Sequence, residues 1–354
     1  MNRLKIALIG QGRSGRDIHG EYFLKDEAKE LFEVVAVVDK MPARLEKAKA
    51  EFGWDVYDDY TELFKRDDID LVTNASISHM HYSITKDLLE HGLNVVTEKP
   101  FSKYAMECED MIKTAKANNV MLAPCQNSRF APYYTRIKEI LDSGKLGKIH
   151  HIKIAFSSYG RRWDWQCSNR YYGGNLLNTG PHPMDQAIDL LNIEGMPNVF
   201  SVKKLINSSG DAEDFVKVDL TAPDRPFIEV EVSCVDGYSD YLYKIGGDRG
   251  CLKANMGSVK WKYFDEIPLP ELNLGSMTKE DGVTPAYCED HLVWNEFEEE
   301  LTGDALSVGV PKFYQNIYNH LTKGEELVVK PEQVLQQIRV MELVHAQNPL
   351  PTKY

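Results

Sequence analysis

The sequence predicts an α/β protein in two parts. Residues 1–126 form a doubly wound parallel sheet, and residues 127–354 a second α/β unit with a large, open, mainly antiparallel sheet. Three observations predict it. Up to about residue 126, short apolar runs alternate with helix-like segments, the pattern that builds parallel strands with right-handed crossovers. Beyond residue 198 the apolar period is near two, with turn residues such as Gly246-Gly247-Asp248 between runs, as in an antiparallel sheet with one open face. The 354 residues also exceed what one core usually organises.

The first forty residues organise the first part. The apolar run 5–9 breaks into Gly10-Gln11-Gly12-Arg13-Ser14-Gly15, and a second run, 34–38, ends on Asp39. This reads as a buried strand, a glycine turn opening a helix, and a parallel strand with a carboxylate at its tip. Such a turn offers backbone N–H groups and a helix dipole to phosphates. Asp39 follows at roughly the 20-residue spacing of a ribose-binding acid, so residues 1–126 are expected to bind a dinucleotide. A carboxylate there accepts from both ribose hydroxyls and repels a 2′-phosphate, which favours NAD. Lys40 and Arg44 leave room for NADP as well.

The remaining elements follow in order. Pro42 opens a helix to about residue 49, and a short helix is expected at 60–65. A strand at 69–74 precedes a helix at 81–90, ended by Gly92. The strand at 94–97 runs into Glu98-Lys99-Pro100; a helix at 105–118 and a strand at 121–124 complete the sheet. Ligands of such sheets lie off the carboxyl ends of the strands. That brings the glycine turn, Asp39, Ser76 to Ser78, Glu98-Lys99 and Gln126-Asn127 to one rim. In the second part, a helix at 132–141 and a strand beginning at 151–157 precede an irregular stretch, 158–174, rich in aromatics and arginine. A helix at 183–191 leads to five strands, at 199–206, 215–221, 227–235, 241–245 and 251–254. Residues 265–285 are loop-like, and helices are expected at 286–301, 310–322 and 331–346.

Composition narrows the function. A net charge of −13 argues against nucleic acid or an anionic membrane as main partner. No apolar run approaches the ~20 residues that span a bilayer. The chain enters its first strand directly, so the cytoplasm is the expected compartment. The six cysteines show no C-x-x-C spacing and read as reduced thiols. No metal site is expected, since His79-Met80-His81 and His150-His151 lack further ligands.

Two constellations carry chemistry. Pro100 holds Lys99 in extended geometry at a strand tip, where the ammonium either stabilises an alkoxide or pairs with Glu98 in solvent. Asn178 and His182 stand four apart within Gly173-Gly174 to Asp185, and share a face if helical geometry persists. His182 suits a general base for a hydroxyl proton, or a capping residue.

These residues, together with Gly10-x-Gly12-x-x-Gly15, Asp39, His81 and Asn127-Ser128-Arg129-Phe130, make the chain resemble the glucose–fructose oxidoreductase, inositol dehydrogenase and MocA family along nearly its whole length. The resemblance implies a Rossmann domain joined to an α/β domain whose open sheet serves oligomer contacts, hence a homo-oligomer. It implies hydride transfer between a sugar-like secondary hydroxyl and a nicotinamide, with Lys99 and His182 catalytic. Gly10, Gly12, Arg13, Ser14, Gly15, Asp39, Lys40, Ser76, Ser78, His81, Glu98, Lys99 and Asn127 are then the cofactor-binding candidates. One departure matters. Where many sugar and inositol dehydrogenases of this family carry aspartate, this chain has Asn178, which can hold substrate but neither takes a proton nor raises the pKa of His182. Ser76-Ile77-Ser78 also replaces the family's Thr-Pro-Asn.

Arg129, Tyr159, Arg162 and Trp163 join Lys99, Asn178 and His182 as substrate-binding candidates. Aromatic faces stack on sugar rings and arginine forks onto anions, although a solvated loop would look the same. The expected substrate is a sugar or glycoside, oxidised at C3 by analogy. A redox-neutral enzyme that retains and recycles its NAD, as a glycosidase or sugar–sugar oxidoreductase, is the alternative. A non-catalytic NAD- and sugar-sensing regulator ranks last, because Lys99 and His182 are both present.

Overall fold

The computed structural model describes residues 3–269, 271–272, 277–279, 281–287 and 291–353. Six short apolar runs build the first sheet: Leu4–Ile9 (β1), Phe32–Val38 (β2), Asp55–Tyr57 (β3), Leu71–Asn74 (β4), Val95–Thr97 (β5) and Leu122–Pro124 (β6). All pair in parallel, in the order β3-β2-β1-β4-β5-β6. β4, β5 and β6 are buried along their whole length, as strands covered on both faces must be. The order reverses between β1 and β4, and that switch point opens a crevice at the carboxyl ends.

The second sheet comprises Ile149–Ser157 (β7), Asn198–Lys204 (β8), Phe215–Thr221 (β9), Phe227–Ser233 (β10), Tyr243–Gly247 (β11), Gly250–Ala254 (β12), Ser258–Tyr263 (β13) and Asn295–Glu300 (β14). Its order is β14-β13-β12-β11-β7-β10-β9-β8. Only β7 and β10 pair in parallel; the other neighbours are antiparallel. Along β10, Ile228, Val230 and Val232 are buried and share a core with Met184, Ala187 and Ile188 of the helix Pro181–Leu191. The alternate residues Glu229 and Glu231 lie half-buried on the opposite face, which no helix among the described residues covers.

One expectation needs correction. Residues 295–300, expected in a helix at 286–301, form edge strand β14, and Ala286, Tyr287 and His291 to Trp294 are not helical; Cys288, Glu289 and Asp290 lie outside the described residues. Glutamate favours helices intrinsically, but here cross-strand pairing outweighs propensity. Lys260 reaches Glu298 at 2.6 Å, and Trp261 stacks on Phe297 with ring centres 4.4 Å apart, the side-chain pairs that stabilise a sheet. β3 and β13 were also unforeseen; each is short, and β13 interleaves lysines with its apolar residues.

The end of the chain returns to the first sheet. From the helix Val310–Lys323, Phe313, Tyr314, Ile317 and Tyr318 enter the same core as Ile6, Leu8, Tyr22, Phe23 and Phe32. Tyr314 stacks on Tyr22, centroids 5.2 Å apart and planes 10° from parallel. The final helix, Pro331–Gln347, carries His345 into a buried cluster, where Lys203 Nζ donates to His345 Nδ1 over 2.8 Å. Burial, with the charges of Lys203 and Lys103, holds His345 down to about 3.

The unfolded chain takes up this proton near pH 6.5 and the folded protein refuses it, so stability falls as pH drops below about 6.5. The urea midpoint should decline between pH 7 and pH 5, and less steeply in His345→Gln; equal slopes in the two proteins would count against a neutral buried histidine.

Candidate active site

Three glycines shape the loop after β1, each for a different reason. Gly10 has φ +91°, and a Cβ there would stand 2.2 Å from the Ala75 carbonyl oxygen. A Cβ on Gly15 would lie 1.8 Å from the Gly10 oxygen. These two let the loop pack against β4 and against itself. Gly12 differs, since its Cβ would meet nothing nearer than Arg44 Nη1 at 4.0 Å. The middle glycine faces open space, where a phosphate group can approach the backbone. Arg13 and Ser14 start the π-helical segment Arg13–Gly20 that follows.

Asp39, at the tip of β2, is buried beside this loop. It accepts from Gln11 N at 2.7 Å and Met41 N at 2.8 Å, with Arg44 Nη1 at 3.3 Å. Lys40 turns away to pair with Asp59 at 2.8 Å, so Arg44 is the cation nearest the carboxylate. Gln11 Oε1 and Ser76 Oγ are buried with no partner among the described residues, and both belong to loops at the crevice. Open space over Gly12, orphaned polar atoms and a carboxylate at the second strand tip together fit a dinucleotide. Ser78 begins the turn Ser78–Met80. His81 lies behind it, one ring nitrogen 2.7 Å from the Pro100 oxygen and the other 3.0 Å from the Ser76 oxygen. It braces two crevice loops from inside and presents neither nitrogen to the crevice.

Under the rim is a buried polar chain that local sequence did not announce. Glu98 Oε1 meets His19 Nε2 at 2.9 Å, and Glu98 Oε2 accepts from Lys99 N at 2.9 Å. His19 Nδ1 lies 2.8 Å from the Tyr314 hydroxyl, itself 3.0 Å from Thr73 Oγ1. Burial pushes Glu98 up, but the hydrogen bond and charge of His19 and the charge of Lys99 outweigh it and hold the carboxyl at about 2. His19 stands four residues beyond Gly15 on the inner face of its helix, a spacing that could have flagged it. Tyr314, 295 residues away, had no local signal.

The two halves meet at Asn178. Gly174 starts the short helix Asn175–Asn178, Thr179 and Gly180 keep right-handed helical dihedrals, and Pro181–Leu191 follows. The spacing that sets Asn178 and His182 on one face therefore survives. The Lys99 ammonium, reaching across from the tip of β5, donates to the Asn178 main-chain oxygen over 3.0 Å. The Lys99–Pro100 peptide is cis. His182 Nδ1 lies 3.1 Å from Ser128 Oγ, while Nε2 has no protein partner among the described residues. Burial first, then the Lys99 charge, hold His182 down to about 3 despite the opposing pull of Glu98. The imidazole is thus held neutral throughout the physiological range.

Other candidates fall outside this meeting point. Arg129, expected on substrate, is buried and saturated: its Nε and Nη2 fork onto Asp185 at 2.6 and 3.0 Å, and Nη1 reaches Asp189 at 3.0 Å. All three of its nitrogens are thus engaged by aspartates rather than turned to a ligand. Asn127 Nδ2 donates to the Ala305 oxygen at 3.1 Å, tying the rim to the chain ahead of the helix Val310–Lys323. Tyr159 and Trp163 are exposed on the irregular stretch, at 67% and 81%, and make no hydrogen bond to Lys99, Asn178 or His182 among the described residues. Arg162 forks onto Asp164 and reaches Gln166, whose side chain bonds Asn178.

Gly12→Ala should fold with wild-type stability yet lose NAD affinity, whereas Gly15→Ala should fail to fold stably; calorimetric NAD titration beside thermal melts separates the two, and a Gly12→Ala protein that still binds NAD normally would refute the phosphate site. Replacing Arg129 by Met strands the buried Asp185 carboxylate, while Asp189 keeps the Tyr134 hydroxyl and the Lys138 ammonium, and the urea midpoint should fall by an equivalent of about 3–5 kcal/mol; a change under about 1 kcal/mol would free Arg129 from a structural role.

Known proteins agree with this architecture. Residues 4–125 match the family described as "Oxidoreductase family, NAD-binding Rossmann fold", and residues 134–253 match the "GFO/IDH/MocA C-terminal domain". An uncharacterised oxidoreductase of Schizosaccharomyces pombe is 26% identical over 371 residues, covering 98% of this chain and 97% of that protein. A 2,7-anhydro-N-acetylneuraminate hydratase of Mediterraneibacter gnavus is 23% identical, covering 85% of this chain and 75% of its own length. The WlbA dehydrogenase of Bordetella pertussis, solved with NADH and UDP-GlcNAcA, superposes with a TM-score of 0.75 at 18% identity, over 98% of this chain and 95% of that one. The chain belongs to the glucose–fructose oxidoreductase, inositol dehydrogenase and MocA family of NAD-binding oxidoreductases.

Proposed function

We propose that the protein transfers hydride between a secondary hydroxyl of a sugar or glycoside, C3 by preference, and NAD bound across the glycine loop. One observation carries this reading: Lys99 from the parallel sheet reaches the Asn178 oxygen, one helical turn before His182, and its charge bears on that histidine. Bound NAD supplies the hydride acceptor. His182 takes the hydroxyl proton on Nε2, with Ser128 holding the ring by Nδ1. Lys99 stabilises the oxygen as it gains negative charge. Ionised Glu98 holds the Lys99 N–H and so aims the lysine. Residues 1–126 hold the dinucleotide, and residues 127–354 hold the substrate and a second copy of the chain, with the uncovered sheet face as the contact. Tyr159 and Trp163 remain candidates for the sugar face. Asp39 favours NAD, while Arg44 beside it softens the repulsion of a 2′-phosphate.

The similarity to a hydratase favours a second reading, in which NAD is retained and the net reaction is redox-neutral. NAD surviving gel filtration, with turnover that needs no added cofactor, would select it.

Lys99→Ala and His182→Ala should each lower turnover by roughly 10²–10⁴-fold on the sugar that a nicotinamide-absorbance screen identifies, while calorimetry finds NAD binding intact. Turnover within a few-fold of wild type in either variant would sink the assignment.

A further inference from the structure

Asn178 carries an amide whose two ends are nearly the same size, and its surroundings decide which end meets the cleft. Arg162 begins the chain of consequence, because a guanidinium can only donate. Its Nε and Nη2 donate to Asp164 Oδ2 at 3.2 and 2.9 Å, and Nη2 also donates to Gln166 Oε1. With its oxygen committed to arginine, Gln166 must turn Nε2 the other way, where it donates to Asn178 Oδ1 over 3.1 Å. Asn178 is then left with its NH2 group, which has no protein partner among the described residues.

The loop cannot slide out of this register. Asp164 Oδ1 accepts from Gln166 N at 2.8 Å, and the Gln166 carbonyl accepts from Gly174 N at 2.8 Å. A Cβ on Gly173 would stand 2.3 Å from that same carbonyl oxygen, so the paired glycines let the irregular stretch lie directly on the Asn178 segment. The Lys99 ammonium is already on the Asn178 main-chain oxygen. Beside His182, Lys99 and Asn178 therefore both present donors.

We propose that Arg162 and Gln166 are positioning residues that lock the Asn178 amide with its NH2 toward the cleft, so that Asn178 is an obligate donor selecting an oxygen acceptor on the substrate. The proposal rests on reading the Lys99–Asn178–His182 cleft as the substrate site. Lys99 and Asn178 together then suit a carbonyl, alkoxide or ether oxygen and reject a group that only donates, such as a free ammonium. Arg162 acts through Gln166 and need not touch substrate.

Gln166→Glu tests it. The carboxylate keeps the arginine contact but can only accept, so Asn178 must turn its NH2 inward and present Oδ1. In protein labelled with ¹⁵N-asparagine, the Asn178 NH2 signals, identified by their loss in Asn178→Asp, should exchange with water about tenfold more slowly in Gln166→Glu. KM for the sugar found in the screen should rise about 10- to 100-fold with kcat little changed, as when one hydrogen bond is lost to an opposed acceptor. Gln166→Leu, which leaves the amide free to rotate, should show the smaller KM effect and no slowing of exchange. Unchanged exchange in Gln166→Glu, or equal KM effects in the two variants, would overturn the lock. If no sugar is turned over by the wild type, the functional reading fails on its own, and the exchange rates still decide the orientation of Asn178.

Discussion

Glu98 is a carboxylate sealed from water at the tip of β5, and an ion so placed costs several kcal/mol unless donors surround it. Here His19 supplies one donor and the Lys99 backbone another, and the carboxyl remains ionised to about pH 2. Much else depends on this. The backbone of Lys99 is fixed from below, so its side chain can be aimed across the crevice at Asn178. His19 is held in turn by Tyr314, which belongs to a helix from the other end of the chain. One buried charge thus ties the glycine-loop helix, the lysine strand and the closing helix into a single arrangement.

The parts of this molecule that were legible in the sequence are those whose cause is local. A glycine turn between two apolar runs is a backbone requirement written in six adjacent residues, and Lys99 before a proline or His182 after Asn178 are near neighbours with a fixed spacing. Arg129 shows the opposite case. Its side chain reads as a substrate fork until Asp185 and Asp189, 56 and 60 residues on, are seen to saturate it. The strand at 295–300 was misread for the same reason, since its glutamates favour a helix alone and a strand only beside Lys260 and Trp261. His19 and Tyr314 each look ordinary in sequence, and what matters about them is their meeting.

Asn178, the departure from the family pattern, becomes easier to understand once its neighbours are known. With no carboxylate at this position, nothing there draws a proton onto His182, and burial beside Lys99 keeps the imidazole neutral. The main-chain oxygen of the same residue anchors the Lys99 ammonium. A neutral imidazole and a positive ammonium thereby lie on either side of Asn178, a contrast that an aspartate would blur by pairing with either.

The helix Val310–Lys323 has a consequence for how the chain is made. The sheet that holds the dinucleotide consists of residues 4–124, yet one wall of its core, with Phe313, Tyr314 and Ile317, is supplied from far downstream in the chain. Domains ordinarily fold in order of synthesis, but this one must wait with Tyr22, Phe23 and Phe32 uncovered until some 190 further residues have been added. A fragment ending at residue 126 would carry every glycine of the nucleotide loop and still leave Tyr22, Phe23 and Phe32 without the helix that covers them.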